Sequence, residues 1–238
     1  KTLEDSLHLR ACDTDRLLLG YTWRWSKALR AVYKHVIEGT LGNIYYASFF
    51  MSANLEDWHP WERYQDFFMA SKELGGGALL DESHWIDQML WMFGLPESVF
   101  SLIDRVSELD ITADDSVDML ANYNSGLKVY LHLDLYGRPH EKSIKIVGDK
   151  GVLSWDEKSN VVRTSAGQPG NEIAEQFDEV RNDMFIAVAA EFLKIIRGGR
   201  QIPMTCSLED GLNVMSVIES ARLSATTGSL AKVVSASN

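Results

Sequence analysis

The chain has 238 residues, 45% hydrophobic and 24% charged, a composition typical of a soluble globular protein and long enough for one large domain or two small ones. Its formal net charge of −11 excludes the basic face that nucleic acid demands, and no basic amphipathic stretch addresses an anionic membrane surface. Apolar runs stay below the roughly 18 residues of a transmembrane helix, no secretory signal stands at the start, and the distant Cys12 and Cys206 lack metal-ligand spacing, so a cytoplasmic protein with reduced thiols is expected.

In chain order, Arg16 to Tyr21 reads as a short buried strand, followed by Thr22-Trp23-Arg24-Trp25. Ser26 stands where a helix cap belongs, ahead of apolar positions at Leu29, Val32, Tyr33, Val36 and Ile37, and Gly39 supplies the left-handed stop. Gly42 to Ala53, rich in Ile, Tyr and Phe, is predicted as a strand. A polar and aromatic loop, Asn54 to Phe68, carries Trp58, His59, Trp61 and Tyr64.

The segment from Gly75 to Asp87 holds the most chemistry. Three glycines let backbone pass close to a neighbour, and the next turn delivers Asp81 and His84. If that turn is helical, the two side chains share a face. Apolar residues at Ile86, Met89, Leu90 and Phe93 then form the buried stripe of a helix that closes at Gly94. A carboxylate and an imidazole held together suit proton transfer near neutral pH. An ordinary helix start, with Asp81 near the cap, uses the same residues.

From Ser98 to Val162 the period changes to two. Val117, Met119, Ala121 and Tyr123 alternate on one run, and Val129, Leu131, Leu133 and Leu135 on the next, with Asn124-Ser125-Gly126 between them as a hairpin turn. Lys142 to Val147 and Gly151 to Trp155 read as further strands. Tyr130, His132, Asp134 and Tyr136 form an amphipathic face that water or another subunit can cover. Phe185, Val188, Ala189, Phe192, Ile195 and Ile196 make a helical stripe ending at Gly198-Gly199. Ser207-Leu208-Glu209-Asp210 is a capping-box signature for a helix reaching about Thr227, before Gly228. The predicted class is α+β, an open, mostly antiparallel mixed sheet with helices packed on one face.

Neither G-x-G-x-x-G nor G-x-x-x-x-G-K-[ST] occurs, so no nucleotide fingerprint is present. Other motifs do form a series: Leu19-Gly20-Tyr21 with Arg24, Glu38-Gly39-Thr40-Leu41-Gly42-Asn43-Ile44, and Gly75 to Asp87 with Gly94. Asp114-Asp115, Gly148-Asp149-Lys150-Gly151-Val152-Leu153 and the Ser207 to Gly228 helix complete it. In this order they resemble the C-terminal domain of the glucose–fructose oxidoreductase / inositol dehydrogenase / rhizopine-catabolism group of NAD(P)-dependent oxidoreductases. The Asp57-Trp58-His59-Pro60 loop with Tyr64 resembles a branch of that group acting on sugars.

The resemblance implies that residues 1–22 are a junction remnant and 23–238 a substrate-binding and oligomerisation domain, with a Rossmann domain absent from this chain. It implies hydride transfer between a hydroxyl-bearing carbon of a sugar, cyclitol or sugar derivative and NAD or NADP, which this chain alone is not expected to bind. His84 would take the hydroxyl proton, Asp81 would orient the imidazole, and Lys1, remnant of a Glu-Lys-Pro motif, would lower the hydroxyl pKa. The group's commoner spacing is Asp-x-x-x-His, one residue longer than Asp81 to His84. Arg24, His59, Tyr64 and Lys72 are candidate substrate contacts, although Arg24 also suits a structural ion pair and Lys72 a solvated surface. Glu82 reads as a helix-dipole partner and Asp87 as a structural pair. A metal site of His59, Asp81 and His84 lacks any H-E-x-x-H signature. The expected assembly is a homodimer or homotetramer through the sheet face. The rival function is an inactive module that serves only as a dimerisation scaffold.

Overall fold

The computed structural model describes residues 2–167, 170–198 and 203–236. After a short helix, α1 (Leu3–Leu7), the chain runs irregularly to Ser26, whose hydroxyl accepts from the Leu29 N–H and starts α2 (Lys27–Ile37). Gly39, at φ +67°, turns the chain out of that helix. Strand β1 (Ile44–Ser52) leads through the aromatic loop to two helical pieces, α3 (Ala78–Asp81) and α4 (His84–Phe93). The meander follows: β2 (Ser98–Asp104), β3 (Ser116–Asn122), β4 (Lys128–Asp134), β5 (Glu141–Gly148), β6 (Gly151–Asp156), β7 (Val161–Ala166) and β8 (Glu172–Gln176). The last elements are α5 (Arg181–Gly198), α6 (Leu208–Thr227) and β9 (Ala231–Lys232).

Among the described residues the strands form one sheet in the order β8-β7-β6-β5-β1-β4-β3-β2-β9. Only the β1–β4 pair is parallel, so the sheet is mixed and mostly antiparallel as predicted. Period-two alternation divides its faces. Ala47, Phe49 and Met51 of β1, Val129, Leu131 and Leu133 of β4, and Ile144 and Ile146 of β5 are buried beneath the helices. Helix α6 lies along β2, where Ser101 Oγ donates to the Ala221 carbonyl and its N–H to Ser224 Oγ. The other face is open. On it Leu102 is 52% exposed, and Leu120 and Tyr130 are 40% exposed each.

Three expectations change. Arg16 to Tyr21 is not a strand: a strand exists by pairing, and here the Leu19 N–H donates to the Cys206 carbonyl rather than into a ladder. The helix foreseen after the glycines breaks at Glu82-Ser83, between α3 and α4. The apolar stripe of α5 buries only Met184 and Ile195, leaving Phe185, Phe192 and Ile196 exposed. Its foreseen stop at Gly199 lies outside the described residues. The capping box is as read, with Ser207 Oγ accepting from the Asp210 N–H and the Asp210 carboxylate accepting from the Ser207 N–H.

Candidate active site

Why glycine stands at 76 and 77 is plain from the space around them. A Cβ at Gly76 would sit 2.3 Å from the Phe68 and Met69 carbonyl oxygens, and one at Gly77, whose φ is +109°, would sit 2.4 Å from Asp114 Oδ1. The corner is thereby pressed against the 68–69 backbone. Asp114 caps the new helix, its carbonyl accepting from the Ala78 N–H and its carboxylate from the Leu79 N–H. The chain then passes the Glu82-Ser83 break and delivers Asp81, Glu82 and His84 to one cavity of about 410 Å³.

Three other elements complete the wall. The aromatic loop contributes Asp57, Trp58, His59, Phe68 and Met69; β5 and the turns around it contribute His140, Lys142 and Glu157; the start of α5 contributes Arg181 and Met184. Lys142 Nζ donates to Glu157 at 3.1 and 3.3 Å and to His140 Nε2, and lies 5.2 Å from the Trp23 ring centroid. Outside the cavity rim, Arg138 grips Asp57 with Nε and Nη2, at 2.7 and 2.9 Å, and Glu56 with Nη2. That fork ties the aromatic loop to the β4–β5 connection.

Electrostatics follow from burial. Loss of water raises the Asp81 carboxyl to about 6, and it raises Glu82 to about 7 with help from the neighbouring Asp81 charge. Burial lowers His84 to about 4, reinforced by the Lys142 and Arg181 charges. The imidazole is therefore neutral at pH 7. Its Nδ1 is buried without a hydrogen-bond partner, and the Tyr21 ring meets it edge-on, 5.4 Å away. Two more cavity residues carry orphaned buried atoms, Trp58 Nε1 and His59 Nδ1. Unpaired buried polar atoms are costly, and three of them belong to residues that line this one cavity.

Of the predicted residues, Asp81, His84 and His59 meet at this cavity. Asp81 does not bond His84 Nδ1, because the turn at Glu82-Ser83 breaks the i to i+3 register. Lys1 lies outside the described residues. Arg24, 3% exposed, is turned away: it holds Asp87 through Nε and Nη2, Asp210 through Nη2 and the Thr205 carbonyl through Nη1. The Tyr64 hydroxyl accepts from the Asp110 N–H, and Lys72 is exposed; neither lines the cavity. Trp58, Glu82, Lys142, Glu157 and Arg181 were not read as site residues. Lys142 did leave a signal, alternating with Ile144 and Ile146 and so falling on the buried face of its strand.

A second cleft of about 300 Å³ shares His84 with the first and is lined mainly by Leu9, Leu19, Leu208, Leu212 and Met215, with no cation. Among the described residues no group of three His, Cys, Asp or Glu side chains is placed to hold a metal ion, and no helix is long and apolar enough to cross a membrane.

The model of the GFO/IDH/MocA C-terminal domain matches residues 29–154. The fold is similar to that of levoglucosan dehydrogenase in complex with NADH, at TM-score 0.83 and 17% identity over 98% of this chain and 71% of that one. An oxidoreductase from Agrobacterium radiobacter, solved with NAD+, L-tartaric acid and magnesium, superimposes at TM-score 0.78 with 18% identity, over 98% of this chain and 70% of that one. The WlbA dehydrogenase from Bordetella pertussis, in complex with NADH and UDP-GlcNAcA, gives TM-score 0.75 and 21% identity over 98% and 68%. No curated protein matches the sequence.

Proposed function

The chain belongs to the GFO/IDH/MocA C-terminal domain family, and from that premise we propose that it is the substrate-binding, proton-transferring part of an NAD(P)-dependent oxidoreductase acting on a hydroxyl of a sugar, cyclitol or sugar derivative. The observation that carries this reading is a neutral His84 lining, with Asp81, Trp58 and His59, a polar cavity of about 410 Å³, within the range of small-molecule sites. A bound polyol offers hydroxyl groups to the polar side chains of this wall, Asp81, Glu82, His84 and Lys142 among them. That the levoglucosan dehydrogenase was solved with NADH and levoglucosan agrees with the choice of ligand class.

Neutral His84, which lines the cavity, takes the proton of the reacting hydroxyl. The adjacent Asp81 charge stabilises the imidazolium that results, through space rather than by a bond to Nδ1. Lys142, held by hydrogen bonds to Glu157 and His140, stiffens the cavity wall. The junction is residues 1–22 and the substrate domain 23–238.

The described residues do not themselves fit a dinucleotide. The polar cavity is sized for a sugar, and the neighbouring cleft offers leucines rather than cations or a glycine-rich turn to a diphosphate. The NAD or NADP that accepts hydride in this reading is accordingly held by residues other than these, and the contribution of this chain is the proton and the substrate's orientation. We place the protein in the cytoplasm on its two free thiols, Cys12 and Cys206.

A second reading rests on the open sheet face. Leu102, Leu120 and Tyr130 form an exposed apolar patch suited to a homodimer or homotetramer contact, and a scaffold without activity would use it equally. Turnover separates the two. In protein that also carries dinucleotide-binding residues, His84→Ala is expected to lower kcat about 10²- to 10⁴-fold with NAD(P)H binding intact. Turnover equal to wild type removes His84 from the mechanism, and its absence in both supports the scaffold.

A further inference from the structure

On the open sheet face, which the helices leave uncovered, His132 stands on β4 with both ring nitrogens against carboxylates. Nδ1 is 2.8 Å from Asp118 Oδ1 on β3, and Nε2 is 3.1 Å from Asp134 Oδ2 two residues along its own strand. A neutral imidazole carries one N–H, so it can donate to only one of them. Two carboxylate acceptors therefore call for two protons on the ring. Phe50 of β1 stacks on it at 5.1 Å and 16°, presenting a π-face to the cation.

The acceptors are organised for this. Asp118 Oδ1 also accepts the Tyr130 hydroxyl at 2.6 Å, and Asp134 Oδ1 accepts the Tyr136 and Gly137 N–H groups. Register also places on this face Lys128, two residues before Tyr130 on β4, Asp104 opposite Ser116 on β2, Lys232 opposite Ser98 on β9, Lys145 and Glu141 opposite Ser48 and Ser52 on β5, and beyond them Asp156 and Arg163. Leu102 flanks Asp118, and Leu120 faces Tyr130, so the charged triad sits inside the apolar patch.

We infer that His132 is a proton-operated switch of this face: as a cation it joins Asp118 and Asp134 and leaves the patch fit for contact with a second copy, and its deprotonation leaves two uncompensated carboxylates that oppose that contact. Hydrogen bonds donated to Asp134 and Asp118 raise the imidazole above its usual range, whereas burial opposes them. In a two-fold contact each triad meets its own kind or its near neighbours, so the added negative charge counts twice. The inference rests on the reading of the open face as a self-association surface.

The test uses the protein as it is. Imidazole ¹⁵N shifts followed against pH are expected to show both His132 nitrogens protonated below a midpoint that lies above the usual histidine value of about 6.5. The self-association constant by sedimentation is expected to weaken at least tenfold from two pH units below that midpoint to two above, and to lose this dependence in His132→Gln. A midpoint at or below about 6.5 overturns the inference. So does association that ignores the midpoint. Leu120→Glu separates the two failures: if it abolishes a pH-insensitive dimer, the face is the interface and only the switch is wrong. A wild-type chain that is monomeric throughout sinks the face and the switch together.

Discussion

Glu82 and His84 stand two positions apart and are driven in opposite senses by one cause. Removal from water favours the neutral form of each, so the acid rises to about 7 and the base falls to about 4. For Glu82 the folded-state pKa lies above the unfolded one, so its stabilising contribution is complete below pH 4.5 and is lost as pH rises through about 7. At about 1.4 kcal/mol per pH unit the loss is at most about 3 kcal/mol. Glu82→Gln should therefore gain on wild type between pH 4.5 and 8.5 in urea unfolding, and two parallel stability curves would contradict this. His84 has the opposite sign: its contribution is present above pH 6.5 and fades as pH falls through about 4. An NMR midpoint for His84 near 4 is expected, and one above 6 would show that the imidazole is solvated. Spacing along the chain pointed to Asp81 and His84, which the structure brings to one cavity. It could not identify Trp58 or Glu82, because an orphaned indole N–H or a buried carboxyl is defined by neighbours distant in sequence.

Among the elements, the glycine corner and α4 are the parts on which the site depends. Gly77→Ala places a methyl group against the Asp114 carboxylate that caps α3, at a φ few side chains adopt. It should cost about 1–3 kcal/mol by denaturation, and a neutral result would mean that Asp114 moves freely. Helix α4 is tied to the 22–25 turn and to the start of α6 by Arg24, which bridges Asp87 and Asp210. Asp87→Ala strands a buried guanidinium on its remaining partners, Asp210 and the Thr205 carbonyl, and should cost about 3–5 kcal/mol in chemical denaturation; a loss below about 1 kcal/mol would show that water reaches Arg24. Sequence reading was strongest for such local devices. Ser26, Gly39, the Ser207 capping box and the Gly126 hairpin all act within a few residues, and all stand as read. It failed at Arg16 to Tyr21, where hydrophobic composition suggested a strand but strand character needs a partner that these residues do not find.

At the scale of the molecule, the sheet separates two roles. Its helix-covered face holds the core and, at the β5–β6 end, the cavity with His84; its bare face holds the apolar patch and the His132 triad. Alternation along the strands made the two faces legible, although the order of strands, and the parallel β1–β4 pair at its centre, required the long-range contacts themselves. The central claim is that the cavity binds a polyol through the side chains that line it. A titration of ¹⁵N-labelled protein with neutral sugars and cyclitols tests it most directly, following the Trp58 indole N–H and the His59 and His84 imidazoles. At least one polyol should shift all three signals together with one saturating affinity, while His132 stays still. Shifts absent from all three across the set, or confined to residues outside the cavity, would contradict the account.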